Sequence, residues 1–531
     1  MDKKKIERLR HRITESLRVQ QDTEVITYID VSGVLADVKA RQNHVVFARR
    51  GCGKTLLLHT SSRDLANIKT MYLNCENFKK HSFPNVLIEL LMQTFSELSG
   101  PPRFWFNPMR YLGKEARSRK EVEGVVKELE NLMVRADSQE EDVTDTSNIS
   151  SAQKSTLGGA AGDKSVNISG SISDERSEAN SLQRRYRHRI EKLSDLDLKL
   201  PGFKKIIKRF FDSQKSFKYA FIQLDDFYHL RPIDQPFVAD YVHRLCKDVP
   251  LYFKIATLRH VSNLYVERDG QPIGIQERQD FQPIDIDYTF LDFRRTKDQN
   301  EKILDEFGVQ SGLEAGEVND LFKGQGFETL VLAGGGVPRD CLSLLVEKLG
   351  REAANDPEWR LGKDEMRQFS RENFERRIGE LKQDSEGKDQ THSLRGIYMI
   401  RSFVLQKKSN VFLVAEQVLQ TEERIKSLIY KLLDYRIIHD SASALTHKSR
   451  AGTYRAFVVD IGCHAHMRNL QGRISLIDVS DSDAKERMRS APIIDPELFE
   501  KLFAEAPERD IETAILEQGA EPTDEKLHED A

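Results

Sequence analysis

Short apolar runs that end in polar residues recur along the first half of the chain, with helical spacing between them. Such runs occur at His44–Phe47, Thr70–Cys75, Lys218–Asp226 and Leu251–Arg259, and a short alternating run occurs at Ile284–Tyr288. Because short apolar runs between polar boundaries are typical of buried strands, we expect five strands, the last at a sheet edge. Strands that alternate with helices predict a parallel sheet covered by helices, an α/β fold.

Helical spacing separates the predicted strands and dominates from Tyr288 to about Gly350. Residues 137–181 differ, because Ser, Gly, Thr, Ala and Asp prevail there and apolar residues are few. Such a segment cannot bury enough surface to offset its chain entropy, so we expect a flexible insertion within the sheet domain. The helices between the strands are predicted at Pro84–Leu98, Ser181–Leu198, Phe203–Phe211 and Pro236–Lys247.

From Leu394 the pattern changes to compact helices followed by strands around a polar loop. The predicted elements are helices at Arg395–Lys407, Val411–Leu419 and Arg424–Tyr435, and strands at Arg436–His439 and Tyr454–Val459. Three helices, a strand, a wing and a strand follow the order of a winged-helix domain. The chain after Pro492 is acidic, and we expect a tail of solvated helices or disordered chain there.

The first predicted strand is joined to a predicted helix by the loop Ala48-Arg49-Arg50-Gly51-Cys52-Gly53-Lys54-Thr55. Glycines in such a loop let backbone amides surround a polyphosphate, and the following helix directs its positive end at the same anion. Lys54 is expected to reach the β and γ phosphates, and Thr55 to hold Mg²⁺ through its hydroxyl. Ala48 replaces the first glycine of the common pattern, which a loop tolerates when that residue stays in the β region. A chance strand-turn-helix connection is the alternative interpretation.

The strand over Lys218–Asp226 ends in two carboxylates, Asp225 and Asp226. In enzymes with a phosphate-binding loop, an acidic residue at such a strand end completes the Mg²⁺ shell and a second one orients the attacking water. Two aspartates can also be a turn signal. Together with the loop they predict a site for ATP and Mg²⁺, with Asp225 and Thr55 toward the metal and Asp226 toward the water.

Composition limits the classes of function that fit the chain. It has 531 residues, enough for several domains, and a formal net charge of -4, which gives no overall bias toward nucleic acid. Its five cysteines are widely spaced and form no CxxC pair, which argues against structural zinc and disulfides. We expect a soluble, cytoplasmic protein with no membrane partner, since no run of 18 apolar residues and no apolar signal core is present.

The order of the loop, the strand that ends in Asn74-Cys75, the acidic strand, the polar-ended strand and the helical segment with Gly335–Asp340 resembles the AAA+ ATPase superfamily. Within it the chain is most similar to the origin-recognition and replication-initiator type, also called ORC/CDC6-like, over about residues 20–350. The resemblance implies a P-loop αβα sandwich and a helical lid. It also implies that Thr257 or Arg259 senses the γ-phosphate, and that Arg339 does so from the lid.

The resemblance also implies a domain order and a partner. The domains are a nucleotide-binding domain at 1–287, a lid at 288–385, a winged helix at 390–465 and an acidic tail at 466–531. Double-stranded DNA is the partner implied for the winged helix, although two glutamates, Glu422 and Glu423, would repel its phosphates. The residues that fit phosphate contacts are Arg424, Lys426, Tyr430, Lys431, His447, Lys448, Arg450 and Arg455.

Two features leave a second function open. Asp226 stands where the initiator family usually has glutamate, so hydrolysis is expected to be slow. The Asp225-Asp226 pair also resembles the STAND branch of signalling NTPases, in which nucleotide state drives oligomerisation without DNA binding. The predicted function is therefore an ATPase that controls DNA or partner binding, with the STAND-like switch as alternative. Arg268 and Arg278 are the candidates for an arginine supplied to a neighbouring subunit.

Overall fold

The computed structural model describes residues 3–17, 28–63, 65–100, 113–134, 192–268, 270–351, 360–384, 387–464, 477–508 and 510–518. The predicted insertion at 137–181 lies outside these residues, as does the first part of the helix predicted at Ser181–Leu198. None of the helices within the described ranges combines the length and the apolar character that crossing a membrane requires.

A five-stranded sheet forms the centre of the first half, in the order β2-β3-β4-β1-β7, and all neighbouring strands are parallel. Its strands are β1 (His44–Phe47), β2 (Ile68–Asn74), β3 (Tyr219–Asp225), β4 (Leu251–Thr257) and β7 (Gln282–Asp285), while β5 (Tyr265–Arg268) and β6 (Gln271–Gly274) form a hairpin. All seven residues of β3 are buried, as expected for a strand covered on both faces. The predicted parallel α/β sheet and its last strand at an edge are confirmed.

Helices cover both faces of this sheet. They are α2 (Val34–Lys39), α3 (Lys54–Arg63), α4 (Asn85–Ser99), α5 (114–134), α6 (192–213) and α7 (Gln235–Cys246). One buried apolar cluster joins α4, α5, α6 and α7 to one face, and a smaller cluster joins α2 and α3 to the other. The carboxyl ends of β1, β3 and β4 therefore meet at one edge of a rigid layer, where ligands of open α/β sheets bind.

A helical layer follows the sheet and also includes the start of the chain. It consists of α8 (Phe293–Gln310), α9 (Gly326–Ala333) and α10 (Pro338–Arg351). The first helix, α1 (Lys3–Ser16), packs here because its apolar residues Ile6, Leu9 and Ile13 recur at helical spacing and join the same buried cluster. The start of the chain thus belongs to the lid-like layer by its packing.

The last part of the chain has a three-stranded antiparallel sheet in the order β8-β10-β9. The elements are α11 (Lys363–Asp384), α12 (Gly387–Lys407), β8 (Val411–Ala415), α13 (Glu416–Thr421), α14 (Glu423–Asp434), β9 (Ile438–Thr446), β10 (Thr453–Val459), α15 (Ala484–Met488), α16 (Pro496–Ala504) and α17 (Ile511–Glu517). The helix predicted at Val411–Leu419 is a strand in its first half, because this β-rich run pairs with β10.

Helices α16 and α17 lie in the segment predicted to be an acidic tail, yet they contribute to the core of the last domain. Phe499, Leu502, Phe503 and Ile515 are buried in one cluster with residues of α12 and α14. Their acidic residues lie on the opposite face of each helix, toward solvent. The two helices are therefore amphipathic, which the acidic composition of the segment alone does not indicate.

Candidate functional site

The loop between β1 and α3 is built around two glycines with left-handed backbone conformations. Gly51 has a φ of 90° and Gly53 a φ of 91°, values that favour glycine over any other residue. Space imposes the same requirement at Gly51, because an added Cβ would lie 2.8 Å from Val337 Cγ1 and 2.9 Å from Arg339 Cβ. The loop is thus packed directly against the start of α10, and the Arg339 backbone N–H donates to the Gly51 carbonyl at 3.3 Å.

Lys54 begins α3, and its side chain lies inside the loop. Its Nζ donates to the carbonyl oxygens of Ala48 at 3.0 Å and Arg49 at 3.3 Å. Burial lowers the pKa of Lys54, and the charges of Asp226 and Asp225 oppose that shift. The ammonium group is therefore held by loop carbonyls and faces the two carboxylates across the site.

Asp225 and Asp226 follow one another at the end of β3 but have different surroundings. Asp225 is fully buried, and its carboxylate accepts from the Tyr72 hydroxyl at 2.8 Å and from the Asp226 backbone N–H at 2.9 Å. Burial and the charge of Asp226 raise the pKa of Asp225, and a hydrogen bond from Thr55 opposes the rise. Asp226 has a φ of 49° and lines the adjoining cavity.

One cavity collects the predicted residues from three separate parts of the chain. Lys54 and Thr55 line it from the loop, Asp226 from the end of β3 and Arg339 from the start of α10. Asp225 lies directly behind Asp226 and Thr55. The remaining lining residues are Ser16, Leu17, Tyr28, Ile29, Arg50, Gly51, Cys52, Gly53, Leu56, Gln299, Ile303, Phe307, Pro338 and Leu342.

The two candidate sensors on the β4 side, Thr257 and Arg259, are not among the residues that line this cavity. Thr257 is buried, its carbonyl accepts from the Ala48 N–H at 3.3 Å and its hydroxyl is hydrogen-bonded to Ser262. Arg259 forms ion pairs with Glu277 and Asp285, each at 3.4 Å. The two candidates for an arginine supplied in trans, Arg268 and Arg278, are exposed and lie outside the lining as well.

The two arginines of the loop have separate roles in the structure. Arg49 is buried and points away from the cavity, where its guanidinium forms a salt bridge with Asp287 at 2.8 Å and donates to the Gly335 carbonyl at 3.0 Å. Arg50 lines the cavity and forms an ion pair with Asp384 of α11 at 3.1 Å. Arg49 therefore holds the loop against Asp287 and Gly335. Arg50 lies between the cavity and Asp384 in the last part of the chain.

The last domain contacts the loop directly, a contact that no local sequence pattern predicts. Arg436 is buried just after α14, and its Nη1 donates to the Arg50 carbonyl at 2.6 Å. Its guanidinium also pairs with Asp340 of α10 and Glu380 of α11. Arg436, which follows α14, thus holds the backbone of the loop between β1 and α3, and the interaction joins residues almost 400 positions apart.

A buried chain of ionic contacts supports this position of Arg436. Asp340 also pairs with Arg377 at 3.1 Å, and Arg377 pairs with Asp460. Asp460 in turn contacts His439 at 2.8 Å, and burial lowers the pKa of His439 to about 4. Buried charges are costly unless each is paired, so these contacts specify one arrangement of α10, α11 and the last domain.

The basic side chains predicted to contact DNA have partners within the chain. Tyr430 stacks on His260, which follows β4 of the parallel sheet, with ring centroids 4.4 Å apart, and so its face of α14 is covered. His447, in the loop between β9 and β10, accepts a hydrogen bond from the Ser449 N–H. The ion pairs of the other six are Arg424–Glu500, Lys426–Glu423, Lys431–Asp389, Lys448–Glu486, Arg450–Asp495 and Arg455–Asp440.

Comparison with known proteins gives little beyond this geometry. No protein-family model matches the chain, and no curated protein matches it. Among solved structures, the chain is similar to a Walker-type ATPase of Pyrococcus abyssi. The likeness has a TM-score of 0.36 and 12% identity, and it covers 84% of this chain and 97% of that one.

Proposed function

We propose that the protein binds ATP with Mg²⁺ and hydrolyses it slowly. The observation that carries the proposal is the convergence of Lys54, Thr55, Asp226 and Arg339 on one cavity at the carboxyl edge of the parallel sheet, with Asp225 directly behind. A lysine, a helix N-terminus and an arginine supply positive charge for a triphosphate, and two carboxylates lie beside them. Phosphoryl transfer requires little more than such positioning and charge stabilisation.

Each residue has a part in the proposed hydrolysis. Water attacks the γ-phosphorus, the bond from that atom to the β–γ bridging oxygen breaks, and ADP and phosphate leave. Asp226 orients the water and accepts its hydrogen bond, while Lys54 and Arg339 stabilise the charge on the phosphate oxygens. Aspartate is one methylene shorter than glutamate, which is why we propose slow turnover. Thr257 and Arg259 stay predictions for the sensing of the γ-phosphate.

The residues at the loop fit a magnesium ion. The Thr55 hydroxyl lies close enough to the Asp225 carboxylate to lower its pKa, so two oxygen ligands of the kind that Mg²⁺ prefers are adjacent at the end of the loop. When bound, the ion would neutralise charge on the β and γ phosphates.

The proposal is tested by ATP binding and by multiple-turnover phosphate release. We expect Lys54→Ala to lose ATP binding, and Asp226→Asn to bind ATP while phosphate release falls by about 100-fold or more, since the water is no longer oriented. Lys215→Ala and Asp212→Asn change exposed residues outside the cavity and serve as matched controls. Normal ATP binding by Lys54→Ala would refute the assignment.

A second level of function concerns what the nucleotide controls, and here we infer that the STAND-like switch fits better than DNA binding. His260 covers the face of α14 that carries Tyr430, and Arg455 is held in a partly buried ion pair with Asp440. Arg50 offers a route for switching, because a triphosphate in the cavity competes with Asp384 for its guanidinium. ATP would then loosen α11 and the last domain, which we still interpret as a winged helix.

Size measurement and DNA binding separate the switch from the initiator-type function. With a non-hydrolysable ATP analogue we expect the protein to expand or assemble, and to show no salt-dependent affinity for double-stranded DNA. Lys54→Ala is the control that should not respond to the analogue. ATP-dependent DNA affinity that falls steeply with salt, and falls further in Arg450→Gln, would favour the initiator-type function instead.

A further inference from the structure

Gln299 of α8 has an enclosed polar atom in the wall of the nucleotide cavity. The residue is 3% exposed, and its Oε1 has no hydrogen-bond partner among the residues that the structure describes. Buried polar groups in proteins are nearly always paired, because an unpaired one forfeits its hydration without compensation. An unpaired acceptor in a ligand cavity therefore points to a donor on the ligand.

The neighbouring residue Asn300 shows that an unpaired side-chain amide is not a general feature of α8. Asn300 is equally buried, yet its Nδ2 donates to the carbonyl oxygens of Thr296 at 2.8 Å and Gly336 at 3.1 Å. Asn300 therefore fixes the approach to α10, and it does not line the cavity. Gln299 lines the cavity and has no comparable structural task.

The surroundings of Gln299 suit a flat apolar ring. On α8, Gln299, Ile303 and Phe307 follow one another at four-residue intervals and so face the cavity as one stripe. Ile29 and Leu342 line the same cavity. Because the phosphates must lie at Lys54 and Thr55, this apolar stripe with one amide is left for the base, as in most sites that bind small molecules.

On the basis of the proposed function, we propose that Gln299 selects adenine among the purine bases. Its Oε1 accepts a hydrogen bond from the exocyclic 6-amino group, and its amide N–H₂ is available to an acceptor nitrogen of the same base. Adenine offers this donor beside an acceptor, a pattern that glutamine matches. On the edge that carries position 6 and N7, guanine and hypoxanthine present two acceptors, O6 and N7, so the Gln299 oxygen finds no donor there in either orientation of the amide.

The test compares ATP with inosine triphosphate, whose base has a carbonyl oxygen in place of the 6-amino group and therefore a proton on N1. Affinities are measured by competition with a fluorescent ATP analogue for the wild type, Gln299→Leu and Gln310→Leu, together with inorganic tripolyphosphate as a probe without a base. Gln310→Leu is the matched control, because Gln310 is on the same helix, bonds Arg12 and lies outside the cavity.

We expect the wild type and Gln310→Leu to prefer ATP by about tenfold, the worth of one buried hydrogen bond. In Gln299→Leu the ratio should fall to near one while tripolyphosphate binds as before. This variant should fold normally, since leucine has a similar size and leaves no unpaired oxygen. A wild type without preference for ATP, or a Gln299→Leu protein with the wild-type ratio, would overturn the inference alone. If the wild type bound neither nucleotide nor tripolyphosphate, the proposed function itself would fail.

Discussion

At the scale of single residues, Asp434 links the last domain to the half of the chain that contains the parallel sheet. It is the last residue of α14, is 4% exposed, and accepts hydrogen bonds from the backbone N–H groups of His260 at 3.2 Å and Val261 at 2.9 Å. Burial raises the pKa of Asp434 to about 7, and the two N–H bonds act against the rise. The Asp434 carboxyl group, at the contact between α14 and the residues after β4, therefore gains or loses its proton near neutral pH.

The raised pKa of Asp434 predicts how stability depends on pH. The folded value lies above the unfolded value of 3.8, so the folded protein binds more protons and its stability falls as pH rises through about 7. Asp434→Asn keeps an oxygen for the two N–H groups and cannot ionise. We expect the free energy of unfolding of Asp434→Asn, relative to that of the wild type, to increase by about 3 kcal/mol between pH 5 and pH 8. Urea denaturation of both proteins at each pH measures this difference.

Asp389→Asn is the matched control for this pH dependence. Asp389 pairs with Lys431 in the same domain and its side chain is 64% exposed. The difference in unfolding free energy between this variant and the wild type should be independent of pH over the same range. An Asp434→Asn curve that runs parallel to the wild type would contradict the prediction.

The convergence of Lys54, Thr55 and Asp226 on one cavity could be predicted because each of these residues belongs to a local pattern. Lys54 and Thr55 follow a strand and open a helix, and Asp225 ends an apolar run, so the neighbouring sequence indicates where each side chain lies. Gln299 and Asp434 have no such pattern around them. Their importance depends on which distant element packs against them, and local sequence carries no information about that pairing.

At the scale of elements, the sheet was predictable because its central strands β1, β3 and β4 are largely apolar and are followed by polar residues at one edge. The error at β8 has a physical cause. Val411–Ala415 is an apolar run that helical and strand spacing fit equally well, and pairing with β10 decides the outcome. Helix α10 illustrates an interaction that no spacing indicates. Its start packs on Gly51 so closely that no side chain larger than that of glycine fits between the loop and the lid-like layer.

At the scale of the whole molecule, the phosphate loop is where the two halves of the chain meet. Its Arg50 carbonyl accepts from Arg436, and its Arg50 side chain pairs with Asp384. A ligand in the cavity changes the arrangement of the last domain only if it binds the two arrangements with different affinity. In the proposed switch, competition between phosphate and Asp384 for Arg50 would provide that difference. By linkage, weakening the contact from Arg436 would then strengthen ATP binding.

Arg436→Met tests this linkage, because linkage and simple electrostatics predict opposite changes in ATP affinity. The substitution keeps an apolar stem but removes the hydrogen bond to the Arg50 carbonyl and the pairs with Asp340 and Glu380. Loss of a positive charge near the phosphates would by itself weaken ATP binding. We instead expect the affinity for ATP to rise about fivefold or more, because separating the last domain from the loop would cost less free energy. Arg424→Met, which removes an exposed pair remote from the loop, should leave affinity unchanged. Weaker ATP binding by Arg436→Met, measured calorimetrically where both proteins are folded, would show that ATP and domain docking do not compete.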